Sequence, residues 1–185
     1  MTNLDDVFII DTETGGLDIY EHSLMSVALV TGDGKASMEI WVAEPTIFTT
    51  EVSLQINRLD PSRLAAEGLS PNAACDALEA FVTLHAPGKP PTVAGHNIAF
   101  DLAFLRRLYN IAGRGLPTLF SHRTLDTHTL LWALARTGRL PPNVVGSDAA
   151  FSYFGISPPE ALRHTALGDA DATRELLQRL LDLQA

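Results

Sequence analysis

Four consecutive apolar residues, Val7 to Ile10, run without interruption into Asp11 and Glu13. A strand with apolar side chains on both of its faces has no solvent side, so it belongs in the middle of a sheet that is covered above and below. The spacing of two then puts both carboxylates on one face at the end of that strand, Val7 to Asp11. Like charges held side by side repel unless a cation neutralises them, and hard oxygen ligands of this kind suit magnesium or manganese. Taken alone, an Asp-x-Glu ahead of Gly15-Gly16 also reads as a solvated turn. The rest of the chain has to decide between the two.

Leu24 to Thr31 and Ala36 to Val42 read as two further strands, joined by a hairpin turn at Gly32-Asp33-Gly34. Past Pro45 the pattern turns helical. Asp60-Pro61 and Ser70-Pro71 each place a capping residue before a proline at the first helical position, and the second opens a helix reaching about His85. Two strand and helix pairs follow, Thr92 to Gly95 with Ile98 to Ala112, then Thr124 to Asp126 with Thr127 to Arg136. Beyond the break at Pro141-Pro142 come short helices over Ser147 to Phe154 and Pro158 to Leu162, where Ser157 and Glu160 have capping-box spacing. The last helix, about Thr165 to Leu183, carries Leu176, Leu177, Leu180 and Leu181 as an apolar stripe. Hairpin-linked strands followed by strand and helix alternation predict an α/β chain, a mixed central sheet with helices on both faces. With 185 residues, 46% of them hydrophobic, the chain can bury such a core as one domain spanning residues 1–185.

Cys75 is the only cysteine, which excludes an internal disulfide and a cysteine-held zinc and fits a reducing compartment. The apolar run at the N-terminus is too short for a signal peptide and no stretch matches a membrane helix, so a soluble, cytoplasmic protein without membrane contact is expected. The chain has 13 Lys and Arg against 22 Asp and Glu, a net charge of −9, which at first sight disfavours a nucleic-acid partner. A carboxylate site that holds divalent cations escapes that argument, because it attracts phosphate once loaded. There is no GxxxxGK[ST], GxSxG or HExxH, and the Gly32 to Gly34 turn does not extend into a dinucleotide fingerprint. His122, His128 and Asp126 suggest a second metal site, but Asp126 follows a strand and reads better as a helix cap.

Three more residues carry possible chemistry. Asp101 sits near the start of a helix among Phe100, Leu102 and Phe104, where a carboxylate needs a partner or the helix dipole. Asn97 just before it reads as that helix's cap. His164 precedes Asp169 by five residues at the opening of the last helix. That spacing lets Asp169 join a carboxylate cluster while His164, an imidazole, removes a proton from an attacking water. Each residue singly has a bland reading as a cap or solvated polar group; together they form a set that those readings leave unexplained.

In this order FIIDTETGGLD (8–18), GHNIAFDLAFL (95–105) and HTALGDADAT (164–173) resemble the DEDDh family of 3′-5′ exonucleases, especially the proofreading (epsilon) type, over nearly the whole chain. The resemblance implies a ribonuclease-H-like three-layer fold and two divalent cations, Mg2+ or Mn2+, bound by Asp11, Glu13, Asp101 and Asp169, with His164 as general base. Two ions about 3.5–4 Å apart can activate a water and stabilise the leaving 3′ oxygen in an in-line attack on phosphorus. It further implies that the backbone from Thr12 through Thr14 and Gly16 to Leu17 lines the pocket for the terminal nucleotide, that Leu17 packs on its base, and that His96 lies near the substrate. Arg106, Arg107 and Arg163 lie close to the motifs and read either as phosphate contacts or as solvated helical faces. The chain departs from the family in having Gly15 where a Thr is common and in lacking a His-Gly segment near Asn57-Arg58.

The expected activity is hydrolysis of nucleic acid from its 3′ end, DNA favoured, releasing nucleoside 5′-monophosphates. The alternatives are a short-RNA exonuclease of the same superfamily and a non-catalytic binding module, although a binding module has no need of four mutually repelling carboxylates. The expected partner is a nucleic-acid 3′ end. A polymerase partner stays open, but no polymerase-binding tail follows the last helix, so a free-standing nuclease is the expectation.

Overall fold

The computed structural model describes residues 4–116 and 118–183. Its centre is a five-stranded sheet built from β1 (Val7–Thr14), β2 (Leu24–Thr31), β3 (Ser37–Trp41), β4 (Thr92–Gly95) and β5 (Thr124–Asp126), in the order β3-β2-β1-β4-β5. The two hairpin-linked pairs are antiparallel, whereas β1, β4 and β5 run parallel. Val7 to Ile10 are at most 4% exposed, as a central strand covered on both faces requires.

The covering layers follow the alternation of β1. Phe8 and Ile10 face a core with Leu78 of helix α3 (Pro71–His85) and Leu105 and Leu108 of helix α4 (Ala99–Ile111). Val7 and Ile9 face the opposite way, onto Ala166, Ala170 and Leu177 of helix α7 (Ala166–Asp182). The outer side of α7 buries Leu176 and Leu180 against helices α5 (Thr127–Arg136) and α6 (Ser147–Phe154). The fold is therefore a mixed sheet with helices on both faces, the arrangement that the motif resemblance implies. Because β1, β4 and β5 are parallel, their carboxyl ends share one edge of the sheet. The chain leaves β1 toward β2 on one side and later returns to β4 on the other, so a cleft opens at that edge between β1 and β4.

Several local expectations change. β1 continues to Thr14 because Thr12 and Glu13 go on pairing with β2, Glu13 opposite Ser26, before the register shifts. The segment after Pro45 is helical as expected, with α2 (Pro61–Glu67) opening at the Asp60-Pro61 cap, and it holds a further helix, α1 (Glu51–Asn57), that no cap reading had placed. α1 escapes a periodicity reading because its apolar Val52 and Ile56 face solvent; a capping box between Thr50 and Ser53 starts it. Pro158 to Leu162 holds only one 3-10 turn, Glu160–Leu162, with no side-chain cap, so Ser157 and Glu160 form no capping box. Pro159 itself is extended, at ψ 139°, which delays the turn.

One buried ion pair fastens α4 to the segment after β3. Glu44, its side chain 2% exposed, accepts from Arg107 Nη1 at 2.6 Å and from the Leu24 backbone N–H at 3.0 Å. Replacing Arg107 by Met leaves that carboxylate buried without its cation, and the expected loss is about 3–5 kcal/mol. Urea unfolding of the two proteins measures it; a loss below about 1 kcal/mol would show that the pair contributes little beyond its packing.

Candidate active site

Asp11, Glu13 and Asp169 each offer a ligand atom such that all three atoms lie within 4.8 Å of one another. Asp11 and Glu13 arrive on the α7 face of β1, and Asp169 comes from the first turn of α7. Small residues make this closeness feasible: Ala166 and Ala170 meet the sheet without side-chain bulk. Gly168 faces the other way, and a Cβ there would stand 1.9 Å from the Leu162 carbonyl oxygen. Only glycine lets the turn before α7 pack so closely on the helix.

That turn carries His164. Its backbone is left-handed, φ 59°, and its N–H faces the Asp169 carboxylate, which lowers that acid's pKa against the effect of burial. Thr165 then caps α7 by accepting the Gly168 N–H at 3.1 Å. His164 and Asp169 line a cavity of about 170 Å³ together with Asp11, His96, Asp148 and Thr173.

Asp101 approaches from α4, on the other face of β1, and is 4% exposed. It lies outside the close trio, but its charge still raises the Asp11 pKa. Its Oδ1 accepts the Thr12 hydroxyl at 2.7 Å, so the residue between Asp11 and Glu13 fastens the fourth carboxylate to the same strand end. Asn97 does not cap α4 through its side chain as expected. It instead takes a left-handed conformation, φ 60°, and its N–H is held by Asp126 Oδ1 at 2.8 Å. Asn tolerates that conformation better than most residues. Asp126 also accepts from His128 N and Thr129 Oγ1, which makes it the cap of α5.

His96 follows β4 directly and faces the cavity. The Thr127 hydroxyl donates to the Gly95 carbonyl at 3.2 Å, so the contact at 3.0 Å between His96 Nδ1 and Thr127 Oγ1 requires Nδ1 to be the donor. Burial and the neighbouring His128 push the His96 pKa down, favouring a neutral ring whose Nε2 is an acceptor.

Of the residues expected to line a nucleotide pocket, Thr14 donates its hydroxyl to the Gly16 carbonyl at 2.7 Å, and Leu17 is 85% exposed. The family difference at Gly15 has a steric cause: a Cβ there would lie 2.0 Å from the Phe48 carbonyl oxygen. At the other difference, Asn57 Nδ2 donates to the Thr14 carbonyl at 3.2 Å, while Arg58 adopts φ 57°. Sequence reasoning missed Glu39, a fifth carboxylate that accepts from the Ser26 hydroxyl at 3.4 Å, feels the N–H groups of Ala166 and Leu167 at the start of α7, and raises the pKa of Asp11 and Glu13. The alternation of β3 was the available signal, since it places Glu39 and Trp41 on one face.

Burial and mutual repulsion dominate the electrostatics of these acids. Burial, then Asp101, Asp169 and Glu13, raise the Asp11 pKa well above the usual carboxylate range. Burial, then Asp169, Glu39 and Asp101, push Glu13 up to about 8. Burial takes Asp101 to about 7, against the lowering effect of the Thr12 hydrogen bond. This oxygen-only donor set fits a hard divalent cation. An acid whose pKa rises on folding favours the fold below its unfolded value and disfavours it as it ionises. The cation-free protein should therefore lose stability as pH rises from about 4.5 through about 8. Magnesium, binding the folded site, should restore it. Thermal melts at both ends of that range, in EDTA and in magnesium, test this; equal melting temperatures in all four would mean that the cluster carries no such strain.

The comparisons agree with this architecture. No protein-family model matches the chain. A DNA polymerase III subunit epsilon-like protein of Rhodobacter capsulatus is 39% identical over 89 residues, which span 48% of this chain and only 12% of that protein. Ribonuclease T of Wigglesworthia glossinidia brevipalpis is 26% identical over 94% of this chain and 83% of its own. The nuclease domain of 3′hExo, a DEDDh family member solved with rAMP, superposes with TM-score 0.75 at 12% identity, covering 95% of this chain and 91% of that one. Exonuclease I of Methylocaldum szegediense superposes with TM-score 0.70 at 19% identity over 96% of this chain, which spans 40% of that enzyme.

Sheet order and carboxylate placement define the class, an α/β fold shared with the solved exonucleases, with acids gathered where its parallel strands end. Within that class, the sequence relatives and solved structures support the resemblance to the DEDDh 3′-5′ exonucleases that the three motifs carry.

Proposed function

We propose that this chain is a cation-dependent 3′-5′ exonuclease domain that hydrolyses terminal phosphodiester bonds of nucleic acid, DNA favoured, and releases nucleoside 5′-monophosphates. The observation that carries the reading is the trio of Asp11, Glu13 and Asp169 within 4.8 Å, with Asp101 tied to the same strand end and His164 on the same cavity. Asp11, Glu13, Asp101 and Asp169 would hold two Mg2+ or Mn2+ ions, which supply positive charge against the phosphate and the leaving oxygen.

The chain's own residues do the rest. His164 takes the proton of the attacking water as its oxygen bonds to phosphorus, and the bond to the 3′ oxygen of the preceding nucleotide breaks. The Asp169 carboxylate faces the His164 N–H and lines the same cavity, so base and acid act at one place. The exposed Leu17 meets the terminal base, the backbone from Thr12 through Thr14 to Gly16 lines the pocket for its nucleotide, and the neutral His96 Nε2 accepts a hydrogen bond from it. Cys75, buried and free, suits a reducing compartment such as the cytoplasm, and no helix among the described residues is long and apolar enough to cross a membrane.

A second reading, RNA as substrate, is favoured by the long alignment with a relative named Ribonuclease T. Matched DNA and RNA oligonucleotides, single-stranded and duplex and labelled at the 5′ end, should shorten from the 3′ end in magnesium and stay intact in EDTA. The faster sugar then chooses between the two readings. Intact strands in both magnesium and manganese would leave only the binding module.

A further inference from the structure

The acids of this chain are unevenly placed. Two adjoining grooves along α4, of about 790 and 530 Å³, share Leu102 and Arg106, and no carboxylate among the described residues lines either, in a chain of net charge −9. Arg107, which borders the larger groove, is committed to Glu44 at 2.6 Å, and Arg163 lies 3.6 Å from Asp148. Arg106 is exposed, has no ion-pair partner among the described residues, and stands where the grooves meet.

The opposite wall of the larger groove is Ile19 and Tyr20, and Tyr20 is 88% exposed. That loop directly continues the segment carrying Asp11 and Glu13, while the groove's other wall begins at Ala99, two residues before Asp101. The groove thus starts beside the carboxylates and follows the 13-residue helix α4 away from them. At about 1.5 Å per residue the path is about 20 Å long, enough for several nucleotides.

We infer that this face carries the 5′-ward part of a single-stranded polynucleotide whose 3′ end lies at the carboxylate cluster, with Tyr20 stacking on a base and Arg106 meeting a backbone phosphate. An exposed aromatic ring opposite an apolar floor suits unpaired bases, whose faces are free, and a paired duplex offers no such faces. Exposed Asp18 and Glu21 flank Tyr20, but no carboxylate lines the grooves themselves, so a polyanion can approach along the Arg106 side of an otherwise repelling surface. The inference rests on the nuclease reading for the position of the 3′ end.

The test uses the full chain in an Asp11→Asn background, so that the strand is not consumed, and follows fluorescence anisotropy of 5′-labelled 12-nucleotide DNA and RNA single strands and of a duplex. Arg106→Glu and Tyr20→Ala should each weaken single-strand binding about tenfold, and Arg106→Glu should lower the salt slope by about 0.7. Arg63→Glu, the same charge change on α2, serves as the reference. If both groove variants bind as Arg63→Glu does while the unsubstituted chain still cleaves, the groove assignment falls and the nuclease reading stands. Losses at both positions with no cleavage by the unsubstituted chain support the groove and overturn the nuclease reading. A duplex bound as tightly as the single strand, with the same sensitivity to Arg106, overturns the single-strand assignment.

Discussion

Replacing Asp11 by Asn is expected to abolish cation-dependent cleavage, by at least about 10³-fold, while raising the melting temperature of the cation-free protein. The two halves come from one cause. Asp11 is at the centre of the cluster, and its pKa is raised by burial and by Asp101, Asp169 and Glu13. The amide keeps the shape of the side chain, removes the charge that burial and four neighbouring carboxylates oppose, and loses the ligand strength that a cation requires. Loss of activity with a lower melting temperature would mean that Asn disrupts the strand end, and the result could not then be assigned to the site. Retained turnover would remove Asp11 from the chemistry altogether. Parallel melts in EDTA and a 3′-end cleavage assay decide among these.

His164→Asn should lower the rate by about 10² to 10⁴ and leave cation binding intact. The substitution suits the position, since His164 has φ 59° and Asn is among the residues that accept a left-handed backbone. The N–H that faces Asp169 is a backbone group and survives the change. Titration calorimetry with manganese should therefore match the parent, while single-turnover cleavage falls. An unchanged rate with weakened cation binding would instead make His164 a ligand or a support for Asp169.

Much of this site was legible because its pieces are local in the sequence. Val7 to Ile10 announce a strand covered on both faces, and Asp11 and Glu13 inherit their shared face from its period of two. His164 and Asp169 sit on either side of a Thr165 cap whose position follows from residue type. What stayed hidden depends on meetings between distant segments. Glu39 becomes part of the electrostatics only once β3 lies near the N-terminus of α7. The Thr12 to Asp101 bond joins residues 89 apart, and nothing near either one signals it. Asn97 was misjudged because a residue that caps helices is also one that tolerates φ 60°, and the N–H contact with Asp126 that selects the second role comes from another strand. Helix α1 was missed because its apolar residues point outward.

The contact between Gly168 and the Leu162 carbonyl bears on how this chain can change over generations. It makes His164, the proposed proton acceptor, and the Asp169 carboxylate a single mechanical part, whose depth in the cleft is set by how closely a turn rests on a helix. A larger residue at 168 would move both groups at once, so variation at that position cannot tune one without detuning the other. A change of substrate preference would then fall more readily on Leu17, Tyr20 and Arg106, exposed side chains that no such close packing fixes.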